Sequence, residues 1–291
     1  MNRPSSPGVE CVWPVAAELG EGPLWDWRDQ CLRFVDIKRD QLQRFDPASG
    51  ARATRPVPGN PSFVVLAEGG GLLLGCRDRI EHLAGEAIEP LARIDMPATN
   101  RTNDACVDPA GRLWLGTMDD GEREPNGRLY RFDCGAVSEH GGDAVVTNGP
   151  AIGADGRSLY FVDSGGRRVW RYPLDAEGGL GERTLFVQLE AADGYPDGIT
   201  IDADDHLWVA LWDGWGVRRY APDGNLVGEV ALPCARVTKL AFGGPGLATA
   251  FVTTARAGLD AAALADQPLA GGLFAFDPGV AGVKVTEARL P

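Results

Sequence analysis

Six residues with side-chain oxygen share one phase of this 291-residue chain. Glu21, Ser62, Asn103, Asn148, Asp197 and Thr238 lie 10 to 12 positions before short apolar anchors that begin at Leu32, Leu72, Leu113, Leu159, Leu207 and Ala250. Apolar residues follow them, as Ile199-Thr200-Ile201 follows Asp197, so each sits beside a core-forming strand. A carboxylate there is costly unless it is paired or bound to a metal. Two acids and two amides brought together supply the hard oxygen ligands that suit a divalent cation.

Taken singly, the same residues have plainer readings. Pro196-Asp197-Gly198 is turn chemistry, like Pro222-Asp223-Gly224. Asn148-Gly149 is a hairpin signal, like Asn126-Gly127, and Asn103-Asp104 could form an Asx turn. The common phase of all six favours a channel metal site over six unrelated turns.

Other chemistries find little support. His82, His140 and His206 are too dispersed for a zinc triad or a Ser-His-Asp arrangement, and His206 reads as a surface group. Gly69-Gly70-Gly71 lacks the lysine and helix of a phosphate-binding loop, and no GxGxxG opens a βαβ unit. Trp212 and Trp215 lie in a connection, where packing is the favoured role and a ligand-pocket wall the alternative. The cysteines Cys11, Cys31, Cys76, Cys106, Cys134 and Cys234 have no CxxC spacing and read as reduced thiols.

The elements that must position these residues recur along the chain. The anchors are β-rich runs such as Leu113-Trp114-Leu115-Gly116 and Leu207-Trp208-Val209-Ala210, spaced 40 to 48 residues apart. Turns such as Asp108-Pro109-Ala110-Gly111-Arg112 precede them, and a third strand such as Val217-Arg218-Arg219-Tyr220 follows. Six such units predict an all-β, six-bladed propeller of four-stranded antiparallel blades, with the oxygen-bearing residues on the innermost strands. One short helix is expected near Asp260–Asp266. With no linker or shift in composition, residues 1–291 read as a single domain.

Composition narrows the partners. The chain carries 28 Lys+Arg against 41 Asp+Glu, a formal charge of −13. Nucleic acid and anionic membrane would both repel it. Met1–Gly8 lacks the apolar stretch of a secretory leader and no run of 18 apolar residues occurs, so a cytoplasmic location is expected. A monomer or weak dimer acting on a small molecule fits this reading.

Leu19-Gly20-Glu21-Gly22-Pro23-Leu24-Trp25, Phe34-Val35-Asp36-Ile37 and Asn100-Arg101-Thr102-Asn103-Asp104 resemble the gluconolactonase/regucalcin (senescence marker protein) family. So do Gly116-Thr117-Met118, Thr147-Asn148-Gly149, Pro196-Asp197-Gly198 and Ala270-Gly271-Gly272-Leu273-Phe274. The resemblance covers nearly the whole chain. It implies metal-dependent hydrolysis of a sugar-acid lactone, such as a glucono-, xylono- or arabinonolactone, to the aldonic acid. It also implies metal ligands at Glu21, Asn148 and Asp197 and substrate contacts at Arg101 and Asn103. Asp197 is the catalytic candidate, and whether it also takes the proton of the attacking water stays open. An acidic residue after Gly-Thr-Met reaches the sugar in many relatives. Here Asp119, Asp120 or Glu122 could serve, and Asp119 is taken as the candidate substrate contact.

The repeat phase adds Ser62 and Thr238, whose hydroxyls are expected to point into the same cavity, with Ser62 touching substrate. Pro61 or Lys239 could hold these positions if the register slips by one residue. The ion stays open among Ca, Zn, Mn, Mg and Fe(II). The rival readings are a metal-dependent phosphotriesterase or arylesterase on the same fold and a non-catalytic calcium-binding propeller.

Overall fold

The computed structural model describes residues 5–291; Met1–Pro4, part of the segment read above for a leader, lie outside the described residues. Among the described residues the strands form six four-stranded antiparallel sheets, five of them built entirely from strands that follow one another in sequence. This is the six-bladed propeller that the repeats predict. The innermost strands are Gly20–Asp26, Pro61–Leu66, Asn100–Val107, Thr147–Ile152, Tyr195–Ile201 and Val237–Gly243. The anchors form the second strands, such as Leu113–Asp119 and Leu207–Trp212, which are almost wholly buried. Blades pack on both of their faces, so these strands read as continuous apolar runs rather than alternating ones.

One strand escaped the repeat reading. Glu10–Trp13 pairs antiparallel with Leu273–Phe276, placing Glu10 opposite Ala275, so the start of the chain completes the last blade. The ring is thereby held shut by backbone hydrogen bonds. Trp25 of the first blade stacks on Phe251 of the last with ring centroids 6.0 Å apart, sealing the same junction.

The repeated turns are built around buried aspartates. Asp108 Oδ2 accepts hydrogen bonds from Arg112 Nε at 2.6 Å and Trp114 Nε1 at 3.0 Å. Asp202 Oδ2 accepts from Trp208 Nε1 at 2.8 Å and Arg219 Nε at 2.7 Å. In each case Oδ1 caps the turn backbone. His206 belongs to the second of these turns, where its Nδ1 meets the Asp204 carbonyl, and has no place in the channel. All six cysteines are free, and the one α-helix among the described residues spans Ala261–Asp266, capped by Asp260. Among the described residues no helix is long and apolar enough to cross a membrane.

Candidate functional site

Every innermost strand breaks register with its neighbour at the position that the repeat phase singles out. Glu21 pairs with Val35 and Leu24 with Arg33, so three steps along the inner strand face two along its partner. The same slip falls between Thr102 and Ala105, between Asn148 and Ala151, and between Pro196 and Ile199. A shorter one brackets Ser62 and another brackets Thr238. Such bulges add one residue and re-aim side chains, here toward the channel.

Four of the six converge. Glu21, Asn103, Asn148 and Asp197 line one cavity of about 530 Å³ together with Arg101. Asn103 Nδ2 donates to Asn148 Oδ1 at 2.9 Å and to the Thr147 carbonyl at 2.7 Å. Asn148 Nδ2 donates in turn to Ser164 Oγ at 3.0 Å. Arg101 Nη1 donates to Asn103 Oδ1 at 2.5 Å, while its Nε donates to Asp120 Oδ1 at 2.9 Å. The chain Asp120–Arg101–Asn103–Asn148 fixes the rotamers of all four side chains and leaves the second lone pair of Asn148 Oδ1 free to accept.

The electrostatics favour a cation. Burial, and then the charge of Asp104, push the Glu21 carboxyl up to about 8. Burial, and then Glu21 and Asp104, push Asp197 well above the usual carboxylate range. Among the described residues neither Glu21 nor Asp197 makes an ion pair, although both are buried. Two hard carboxylates without an ion-pair partner, beside an amide oxygen, are a donor set that fits a divalent ion of the Ca, Mg or Mn kind.

Three candidates require correction. Ser62 Oγ turns away from the cavity, to Thr102 Oγ1 at 2.8 Å and the Gly75 carbonyl at 3.3 Å. Thr238 Oγ1 donates to the Gly20 carbonyl at 2.6 Å and to Thr253 Oγ1. Short hydroxyls at these tighter bulges satisfy neighbouring strands and do not line the channel site. Asp119 Oδ2 accepts from the backbone N–H groups of Arg123 and Glu124, so it caps its own loop and is absent from the cavity lining. Of the three acids weighed there, Glu122 lines the cavity and Asp120 holds Arg101.

Other residues were not singled out from sequence. Asp104, read only as part of a turn, is buried and bound to Lys239 Nζ. Lys239, the alternative to Thr238 at a slipped register, does not line this cavity and binds Asp104 instead. Lys38, Ser164, Arg236 and Trp212 complete the walls, with the Arg236 guanidinium 4.8 Å from the Trp212 ring centre. Trp212 packs against the core, the favoured role, and also lines this wall. Their signal lay in connections, which carry no repeat phase.

The chain is similar to known proteins over most of its length. The family model described as SMP-30/Gluconolactonase/LRE-like region matches residues 19–256. A 6-deoxy-6-sulfogluconolactonase of Pseudomonas putida and a pentonolactonase of Haloferax volcanii are each 36% identical over 283 residues, covering 94% of this chain and 96% of theirs. The crystal structure of a calcium-binding protein, regucalcin, from Agrobacterium tumefaciens superposes with a TM-score of 0.90. It is 30% identical and covers 97% of this chain and 96% of its own.

Proposed function

The chain belongs to the SMP-30/gluconolactonase/LRE-like family, and on that premise we propose that it hydrolyses a sugar-acid lactone to the aldonic acid with one divalent cation. The observation that carries this reading is the convergence of Glu21, Asn148 and Asp197, with a preorganised Arg101–Asn103 pair beside them in one polar cavity. Glu21, Asn148 and Asp197 would hold the ion. When bound, a divalent ion supplies Lewis acidity toward the lactone carbonyl.

The protein's own groups do the rest. Arg101, pinned by Asp120, presents rigid N–H donors for ring or hydroxyl oxygens of the sugar. Asn103 both donates and accepts, which suits a polyol, and it steadies the Asn148 oxygen. Asp197, beside the ion it would hold, is the candidate to receive a proton from the attacking water. Trp212 and Arg236 form a wall against which the carbon skeleton can lie. Relatives named for a sulfogluconolactone and for pentonolactones support a hydroxylated five- or six-carbon substrate.

An arylester or phosphotriester substrate would favour a cavity with fewer charged and amide groups than one that Glu21, Arg101, Asn103, Asn148 and Asp197 line. A panel of gluconolactone, a pentonolactone and an aryl ester, assayed on one preparation, tests the reading. Turnover of the sugar lactones well above the ester is expected. Preference for the ester, or no turnover of any lactone, would overturn it.

A further inference from the structure

Asp104 and Lys239 form a buried ion pair just below the site, where the inner strands continue toward a second cavity of about 180 Å³ at the other end of the channel. Lys239 Nζ lies 2.5 Å from Asp104 Oδ1 and 3.5 Å from the Ala105 carbonyl. The other carboxylate oxygen, Oδ2, is buried with no hydrogen-bond partner. The lysine stem has a place made for it. A Cβ on Gly198, the residue after Asp197, would come 2.5 Å from Lys239 Cβ and Cγ. Gly198 does not have a positive φ, so it serves here to admit the lysine rather than to make a turn.

The charges then balance. Glu21, Asp104 and Asp197 are three buried carboxylates; Asp104 raises the cost of ionising both of the others, and Glu21 that of Asp197. Arg101 also acts on Glu21, but its charge is balanced by Asp120, to which its Nε is bound. Lys239 offsets one, which leaves two negative charges for one divalent ion. We propose that Lys239 is the resident counter-cation of the site. It neutralises Asp104, keeps that carboxylate out of the ion's coordination, and so matches the site to a single divalent cation. This rests on the metal reading above.

The test is calorimetric titration of metal-free protein with calcium chloride and, separately, manganese chloride. Wild type should bind one ion per chain. Lys239→Met leaves a buried negative charge uncompensated near the ion and should bind it at least tenfold tighter. Asp104→Asn leaves the lysine uncompensated and should bind it at least tenfold weaker. The double variant, Lys239→Met with Asp104→Asn, should return to within about threefold of wild type. A purely packing role would weaken binding in both single variants, so the opposite signs are the diagnostic result. If Lys239→Met fails to fold, the near-isosteric Asp104→Asn together with Lys239→Gln carries the same comparison. One bound ion in wild type with equal signs in the two variants overturns this inference alone. No bound ion in wild type overturns both it and the metal reading.

Discussion

Asn103 Nδ2 donates to Asn148 Oδ1 at 2.9 Å, and this bond ties the residue proposed to contact substrate to one proposed to hold the ion. Removing either side should therefore have unequal effects. Asn103→Ala should lower kcat/KM by about 10- to 1000-fold, as expected for one to three lost hydrogen bonds, while metal affinity falls less than tenfold. Asn148→Ala should lower both. Metal titration and lactone kinetics on the same two variants check this, and a loss of metal equal in both would contradict it.

The metal-free protein should lose stability as pH rises. Glu21 has its pKa lifted to about 8 by burial and by Asp104, and Asp197 is lifted in the same direction. A carboxyl whose folded pKa exceeds its unfolded value binds more protons in the folded state, so stability falls as pH climbs through that interval. Melting temperature without metal should drop between about pH 5 and pH 8. Saturating divalent ion, or Glu21→Gln, should flatten the profile. Metal binding in this range should also release protons, measurable as a buffer-dependent heat. A metal-free melting temperature that rises across the interval would be inconsistent with the site's electrostatics.

Gly198→Ala should be destabilising without any change in turn geometry. Its methyl group would meet the Lys239 stem at 2.5 Å and the Thr238 carbonyl at 2.7 Å. Overpacking of this kind costs about 1–3 kcal/mol, read by denaturant titration. Wild-type stability in this variant would show that the lysine has room to move.

The turn aspartates separate folding from chemistry. Asp108→Ala removes the acceptor of both Arg112 and Trp114 and leaves a buried guanidinium unpaired. A loss of about 3–5 kcal/mol in stability is expected, with metal affinity retained in the protein that stays folded. Loss of metal at unchanged stability would reverse that assignment.

Much of this was legible in the sequence because propeller blades repeat. The anchors Leu113-Trp114 and Leu207-Trp208 announce the second strands, and counting back from them reaches Glu21, Asn103, Asn148 and Asp197 on the inner ones. Phase fixes where a residue sits on its strand. It does not fix how a bulge aims it, which is why Ser62 and Thr238 share the phase yet turn to neighbouring backbone. Asp119 failed for another reason, because a carboxylate at the head of a tight loop is drawn to that loop's own N–H groups. Glu10–Trp13 stands near the opposite end of the chain from its partner Leu273–Phe276, and no repeat signal marks a closure that pairs the two ends of the chain. Lys239 was named only as an alternative to Thr238; its pairing was hidden because the partner, Asp104, lies 135 residues earlier.

The central claim is that a divalent ion at Glu21, Asn148 and Asp197 is required for lactone hydrolysis. Its most direct test measures gluconolactone turnover by chelator-stripped protein while one divalent ion per chain is titrated back. Turnover should be lost on stripping, return in step with the first equivalent, and stay absent in a folded Asp197→Ala variant at the same ion concentration. Stripped protein, or Asp197→Ala, hydrolysing the lactone at the wild-type rate would contradict it.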